Sequence, residues 1–348
     1  ELCRQAVSQV PATHRLNLAD RQRVTALLQD YDLAIAALPH SISFVAEEAA
    51  VAAGTHLIDL AGSAPERRLQ LHHAARQQGV TIIPGCGLAP GLSNMLLGRA
   101  MADLDAVSRA VIYVGGLPAK PEPPLGYRVV FSLESVLNMY SRPARIIQDG
   151  QVVTVPALSG IELLDFGPEI GVLEAFYTDG LGSLSITYAD RVEELLAEKT
   201  LRYPGHAEKI QTLIACGFLD TEPVEVEGTR VVPRAVTRAL LEPRLALGDA
   251  RDLSVLRVVV TGTTAGQEVT RTYQMIDHYD EATTTTSMAR TTAYTAVMTA
   301  VHLARGDLQV PGVLPPEKIG EQPLFTQLLA GLAAMGITVT YHEEVVPA

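Results

Sequence analysis

The sequence predicts an α/β fold: a parallel sheet with crossover helices, followed by a second, α+β domain on a mostly antiparallel sheet. Three observations lead there. The first hundred residues repeat one unit, an apolar β-type run followed by a helix-type stretch, which is the pattern of half a doubly wound domain. From about Asp105 the pattern changes to longer alternating runs with hairpin punctuation. The chain has 348 residues, about two domains' worth at roughly 100–200 residues each.

Four runs read as parallel strands: His14–Leu18, Asp32–Leu38, Thr55–Leu60 and Val80–Ile83. Between them Arg21–Gln29, Phe44–Ala53 and Glu66–Gln78 carry Ala, Leu, Gln, Glu and Arg over two or three helical turns, with Asp20 placed as an N-cap. In the second domain Leu253–Val260 and Val269–Ile276 form a hairpin around a Thr-Gly-Thr-Thr-Ala-Gly turn. Helices are expected at Leu133–Tyr140, Ala207–Ala215, Ala235–Leu245 and Ala289–Ala304, the last ended by Arg305 and Gly306. A helix at Leu324–Met335 and a strand-like ITVTYHEEV follow. The expected units are 1–104, 105–306 and 307–348, the last packing back on the first. The exposed face or edge of this long apolar hairpin would be a liability in a monomer, so a homodimer or a dimer of dimers formed by the second domain is expected.

Charge and composition narrow the function. With 27 Lys+Arg against 39 Asp+Glu the net charge is −12, which disfavours nucleic acid and suits a small polar substrate. Cys3, Cys86 and Cys216 cannot pair completely and show no CxxC spacing, so a reducing compartment and no structural zinc are expected. The histidines lack metal-site spacing, and no metal is expected. No apolar run approaches the roughly 18 residues of a membrane span, and the start is not a signal peptide; no membrane partner and a cytoplasmic location are expected.

Five motifs carry the chemistry: IPGCGLAPGLSN (Ile83–Asn94), VGGLPAKPEPPLGYRVVFS (Val114–Ser132), EAFYTDGLGSL (Glu174–Leu184), KTLRYPGH (Lys199–His206) and TSMARTTAYTA (Thr286–Ala296). In this order, over nearly the whole chain, they resemble the saccharopine dehydrogenase-like family, most closely its L-lysine 6-dehydrogenases. The resemblance implies a Rossmann domain with NAD or NADP, and oxidation or reduction at a carbon–nitrogen bond of an amino-acid substrate. The family opens with a strand, a GxGxxG turn, a helix and a second strand ending in a ribose selector, and this sequence contains none of these. The chain is therefore expected to be a fragment, with an incomplete Rossmann sheet that binds a dinucleotide poorly by itself.

Residue readings follow from position and from the resemblance. The run Asp32–Leu38 ends in Leu38-Pro39-His40 at the carboxyl edge of the sheet, where open α/β sheets bind ligands. The resemblance implies Leu38 and Pro39 as cofactor contacts and His40 as a substrate contact; a Pro-stopped strand with a surface His is the plainer alternative. Asp59 ends an apolar strand where a carboxylate is difficult to bury alone, so a catalytic or cofactor role is expected, against an N-cap. In the turn Pro84–Gly91 the glycines permit close backbone approach, and free N–H groups at the helix start favour an anionic or carbonyl group. Cys86 is expected to line the pocket, and Gly87, Ala89, Pro90 and Asn94 to touch the cofactor. Arg202 and His206 flank Pro204-Gly205: a guanidinium fork suits a carboxylate, and a histidine can exchange protons near neutral pH. The resemblance implies that Arg202 holds the substrate carboxylate, that Tyr127 contacts substrate and that His206 assists catalysis. The loop Ala119–Pro124 is either a cover for the site or a rigid connection, and Thr178–Gly180 and Thr286–Thr292 are either cleft loops or helix caps.

The leading function is NAD(P)-dependent oxidative deamination of the lysine ε-amino group. A saccharopine or carboxyspermidine dehydrogenase is the alternative enzyme, and a catalytically inactive binding or assembly module is the alternative of another class.

Overall fold

The computed structural model describes residues 11–346. Cys3 lies outside them. The run His14–Leu18 is not a strand: only two of its residues are apolar, it is largely exposed, and it joins no ladder. Regular structure begins at α1 (Arg21–Leu28), where the Asp20 carboxylate accepts the Arg23 N–H at 3.2 Å, an N-cap as expected.

The first sheet has four strands in the order β1 (Leu33–Ala36), β2 (His56–Asp59), β3 (Thr81–Ile83), β14 (Gly312–Val313), all parallel. β1 and β2 are joined through α2 (Ser43–Ala53), and β2 leads through α3 (Pro65–Leu69) and α4 (His72–Gln77) to β3. The turn Pro84–Gly91 then opens α5 (Leu92–Met101).

The second sheet is nine-stranded. Its main path runs β15 (Val339–Val345), β13 (Gln267–His278), β12 (Asp252–Thr264), β4 (Ala106–Pro118), β9 (Val192–Arg202), β5 (Ala144–Gln148), β6 (Gln151–Val155). β8 (Val172–Tyr177) joins the same edge of β9 further along and pairs with β7 (Glu162–Asp165). β4 and β9 are parallel; every other pair is antiparallel. α6 (Leu133–Ser141), α7 (Leu184–Thr187), α8 (His206–Ala215), the antiparallel pair β10 (Val224–Val226) and β11 (Thr229–Val231), and α9 (Pro233–Leu245) lie in this sheet's connections.

The C-terminal segment divides between the two sheets. β14 and α11 (Pro316–Gly320) return to the first sheet and α5, whereas β15 extends the second sheet beside β13. This corrects the expectation that the whole tail returns to the first unit. It also removes the edge argument for a dimer, because the β12–β13 hairpin is covered on one side by β4 and on the other by β15.

α10 (Ser287–Arg305) touches β1 and β2 of the first sheet and β12 and β13 of the second. One apolar core accordingly runs from Ile58 and Ile83 through α5, α10 and α12 (Phe325–Ala334) to Leu256 and Val258. α5 and α11 meet backbone to backbone: side chains at Gly98 and Gly320 would collide with the carbonyls of Glu317 and Met95. Among the described residues no helix is long and apolar enough to cross a membrane.

Candidate active site

Two buried polar clusters hold the candidate residues, and the strand ends explain why. The first lies at the carboxyl end of β2. Asp59 is fully buried; its Oδ1 accepts the Ala61 N–H at 2.9 Å and its Oδ2 pairs with Arg68 at 2.8 Å. The same guanidinium bonds Glu47 and, at 2.9 Å, Ser43. Two carboxylates thus share one buried cation, and burial pushes the Asp59 carboxyl up to about 6. The strand-end carboxylate did need a partner, and it found an internal one. Asp59 is therefore corrected from catalytic and cofactor-binding residue to counter-ion of Arg68.

The turn Pro84–Gly91 is also closed on itself. The N–H groups of Gly85, Cys86, Gly87, Gly91, Leu92 and Ser93 bond to Ala61 O, Asp59 O, Pro90 O, Asn94 Oδ1, Gly87 O and Leu88 O. The expected free N–H groups are occupied, so these six do not cradle an anion. Cys86 is fully buried in the apolar core and donates to Thr299 at 3.5 Å, and burial pushes its thiol up to about 12, which corrects it from a pocket-lining to a core residue. Asn94 is buried too, its amide capping Gly91 and donating to Glu317 at 3.2 Å, which corrects it from cofactor contact to structural link. Gly87 is buried, whereas Ala89 is exposed and Pro90 half-buried. Leu38 is half-buried and Pro39 and His40 are exposed at the carboxyl end of β1, the open part of this edge. Partial burial, then Arg68 and Arg142, hold His40 below its usual pKa.

The second cluster brings Arg202, His206 and Tyr127 together, with Tyr140 at its centre. Period-two alternation along β9 puts Glu198, Thr200 and Arg202 on one face. Arg202 is buried; its guanidinium lies 4.4 Å from the Tyr127 ring centroid, Nε donates to the Tyr140 hydroxyl at 3.0 Å, and Nη1 donates to Leu201 O at 2.8 Å. His206 Nδ1 lies 3.0 Å from Leu125 O and Nε2 lies 2.8 Å from the Tyr140 hydroxyl. A carbonyl only accepts, so Nδ1 carries the proton and Nε2 accepts from Tyr140. The result is one directed chain, Arg202 to Tyr140 to His206 to Leu125. Burial, then Arg202, lowers the His206 pKa to about 3, so the imidazole is neutral near pH 7. This corrects His206 as a proton exchanger near neutrality: both ring nitrogens are committed, and the residue positions Tyr140.

The turn between β9 and α8 is held by Glu174, which accepts the N–H groups of Gly205 at 2.7 Å and Ala207 at 2.6 Å at the helix start. Arg145 connects the two bodies, pairing with Asp179 at 3.2 Å and with Glu66 of α3 at 2.8 Å. Thr286 caps α10 by accepting the Ala289 N–H at 3.3 Å, the simpler of its two readings. Tyr140, Glu198, Glu174 and Arg68 are site residues that sequence reasoning missed. Strand alternation in EKTLR could have signalled Glu198; nothing local marks the others, whose partners are distant in sequence.

The chain resembles proteins of one group. A saccharopine dehydrogenase [NADP(+), L-glutamate-forming] of Pyricularia oryzae is 26% identical over 218 residues, covering 60% of this chain and 48% of the relative. The mitochondrial alpha-aminoadipic semialdehyde synthase of Bos taurus is 26% identical over 215 residues, 58% of this chain and 23% of that protein. The chain thus spans about half the length of the first and under a quarter of the second. Among solved structures, apo saccharopine dehydrogenase (L-Glu forming) of Saccharomyces cerevisiae matches with a TM-score of 0.78 at 20% identity, covering 95% of this chain and 88% of that one. A Legionella pneumophila homospermidine synthase in complex with NAD matches at 0.62 and 12% identity, covering 94% and 80%. Both share the fold. The saccharopine dehydrogenase C-terminal domain pattern matches residues 87–337, from the glycine turn through the Arg202 cluster to the end of α12, and the chain belongs to that family.

Proposed function

We propose that this chain carries the substrate site of an NAD(P)-dependent oxidoreductase acting at a carbon–nitrogen bond of an amino acid. The observation that carries the reading is Arg202. Its guanidinium is 2% exposed and has no ion-pair partner among the described residues, only a tyrosine hydroxyl, a carbonyl and an aromatic face. A buried cation without a counter-ion is costly, and a ligand carboxylate would neutralise it. A bound nicotinamide would supply the hydride acceptor. The loop Leu38–His40, the exposed Ala89 and the half-buried Pro90 fit its approach at the sheet edge, while the closed glycine turn does not fit its phosphates. Within this reading the chain's own residues bind and orient: Arg202 fixes the carboxylate, Tyr127 covers the guanidinium, and Tyr140 with neutral His206 locks the Arg202 fork.

Lysine ε-amino oxidation is the first substrate assignment. Saccharopine is the second, favoured by the similarity to the saccharopine dehydrogenase of Pyricularia oryzae. A longer enzyme with its own phosphate-binding turn, a cytoplasmic location and a homodimer or dimer of dimers belong to the same proposal. The test is nicotinamide absorbance of the full-length enzyme with NAD or NADP against lysine, saccharopine and polyamines. Arg202→Lys keeps the charge but loses the paired geometry, so kcat/KM should fall about 10- to 150-fold with cofactor affinity unchanged. An unaltered kcat/KM would remove Arg202 from the site.

A further inference from the structure

Arg202 is not the one ionisable group left incomplete on its face of β9. Glu198, four residues earlier on the same face, is 5% exposed and has no cationic partner within ion-pair distance among the described residues. Its Oε2 accepts from the Thr178 hydroxyl at 2.6 Å, and Thr178 lies 2.8 Å from the Thr200 hydroxyl. Thr178 has one proton and spends it on the carboxyl group, so Thr200 donates to Thr178. The relay Thr200 to Thr178 to Glu198 fixes one carboxyl oxygen. Oε1 takes no hydrogen bond from a described residue.

The neighbouring sequence makes room for this arrangement. A side chain on Gly180 would run into the Glu198 carboxyl group, so this glycine is required by Glu198 and not by its own backbone conformation. Asp179, the adjacent carboxylate, is already matched by Arg145 and Arg142. Glu198 and Arg202 influence one another electrostatically but form no ion pair. The face therefore presents a buried acid and a buried cation, each short of an opposite charge.

We infer that Glu198 receives the α-ammonium group of the substrate while Arg202 receives its carboxylate, so that the site selects intact α-amino acids over their α-hydroxy or α-keto analogues. The inference rests on the proposed amino-acid oxidoreductase reading and deepens it. A zwitterion supplies both missing charges at once; an analogue lacking the ammonium leaves Glu198 unmatched. Burial, only partly offset by Thr178 and Arg202, pushes the carboxyl up to about 8, consistent with an acid that is neutral when the site is empty and ionises against an arriving cation.

The test is calorimetric titration of the purified protein with L-lysine, L-saccharopine and 6-amino-2-hydroxyhexanoate, which is lysine with a hydroxyl in place of its α-amino group. Wild type should bind the amino acid about 10- to 150-fold more tightly than the hydroxy analogue, the range of one charge-assisted contact. Glu198→Gln keeps the shape and the acceptor for Thr178, and should bring that ratio close to one by weakening the amino acid. Glu198→Asp, which keeps the charge, should restore part of the ratio. Arg202→Lys should weaken both ligands alike and leave the ratio as in wild type. A Glu198→Gln protein of native circular dichroism that keeps the wild-type ratio would overturn the assignment while leaving the amino-acid reading in place. Wild type that binds neither lysine nor saccharopine would overturn both.

Discussion

Replacing Tyr140 by Phe isolates the polar chain from the packing around it. The ring stays, with its edge contact to Phe176 at 6.2 Å between centroids, so no cavity opens. What goes is one hydroxyl that accepts from Arg202 Nε at 3.0 Å and donates to His206 Nε2 at 2.8 Å. Arg202 and His206 are 2% and 1% exposed, so water cannot replace it. A buried polar group stripped of its partner costs about 1–3 kcal/mol, and two are stripped here, which sums to roughly 2–6 kcal/mol. At about 2–4 °C per kcal/mol for domains of this class, the melting temperature should fall by roughly 4–24 °C. Urea unfolding followed by far-ultraviolet circular dichroism measures the loss, with an unchanged m-value indicating that the unfolded state is unaltered. Tyr341→Phe is the control: that hydroxyl contacts Glu343 at 2.8 Å on an exposed strand, and its removal should stay within about 0.5 kcal/mol. If Tyr140→Phe is as stable as the control, the hydroxyl does not bridge two buried groups, and the directed chain from Arg202 to Leu125 is wrong.

Arg68→Met should destabilise by about 3–5 kcal/mol at pH 8, because Glu47 and Asp59 lose their shared cation, and the loss should shrink toward pH 5 as the orphaned carboxyls take up protons. A loss independent of pH would mean that the packing of the Arg68 stem dominates. Glu198→Gln should change the pH dependence of stability with a defined sign. The folded carboxyl sits near 8, above its unfolded value near 4.5, so its contribution is fully present below about pH 4.5 and is lost as pH rises to about 8. The variant should therefore gain on wild type by about 1.4 kcal/mol per pH unit across that window, and parallel stability profiles would show that Glu198 is ionised in the folded protein.

Much of the fold follows from local pattern. The parallel runs Asp32–Leu38, Thr55–Leu60 and Val80–Ile83 became β1, β2 and β3, and the alternation around the Thr-Gly-Thr-Thr-Ala-Gly turn became the β12–β13 hairpin, because periodicity states which face of an element must be buried. It does not state what pairs with an edge. His14–Leu18 carried a strand-like pattern without a ladder to join, and the place of β15 depended on a free edge of β13 rather than on its own residues. The same division holds at the site. Arg202, Tyr127 and His206 could be named from the sequence, and they meet. Their chemistry could not be named: His206 is neutral because Tyr140, 66 residues away, occupies one ring nitrogen and burial disfavours its charge. Asp59 could be marked as a carboxylate needing a partner, yet whether that partner was a ligand or Arg68 depended on how the helix after β2 packs. The glycines of Pro84–Gly91 could be read as permitting close approach, but the tertiary fold decided that what approaches is the protein's own backbone. Sequence determines which groups are present and which face they share; charge state and availability depend on burial and on partners distant along the chain, and those exist only once it has folded.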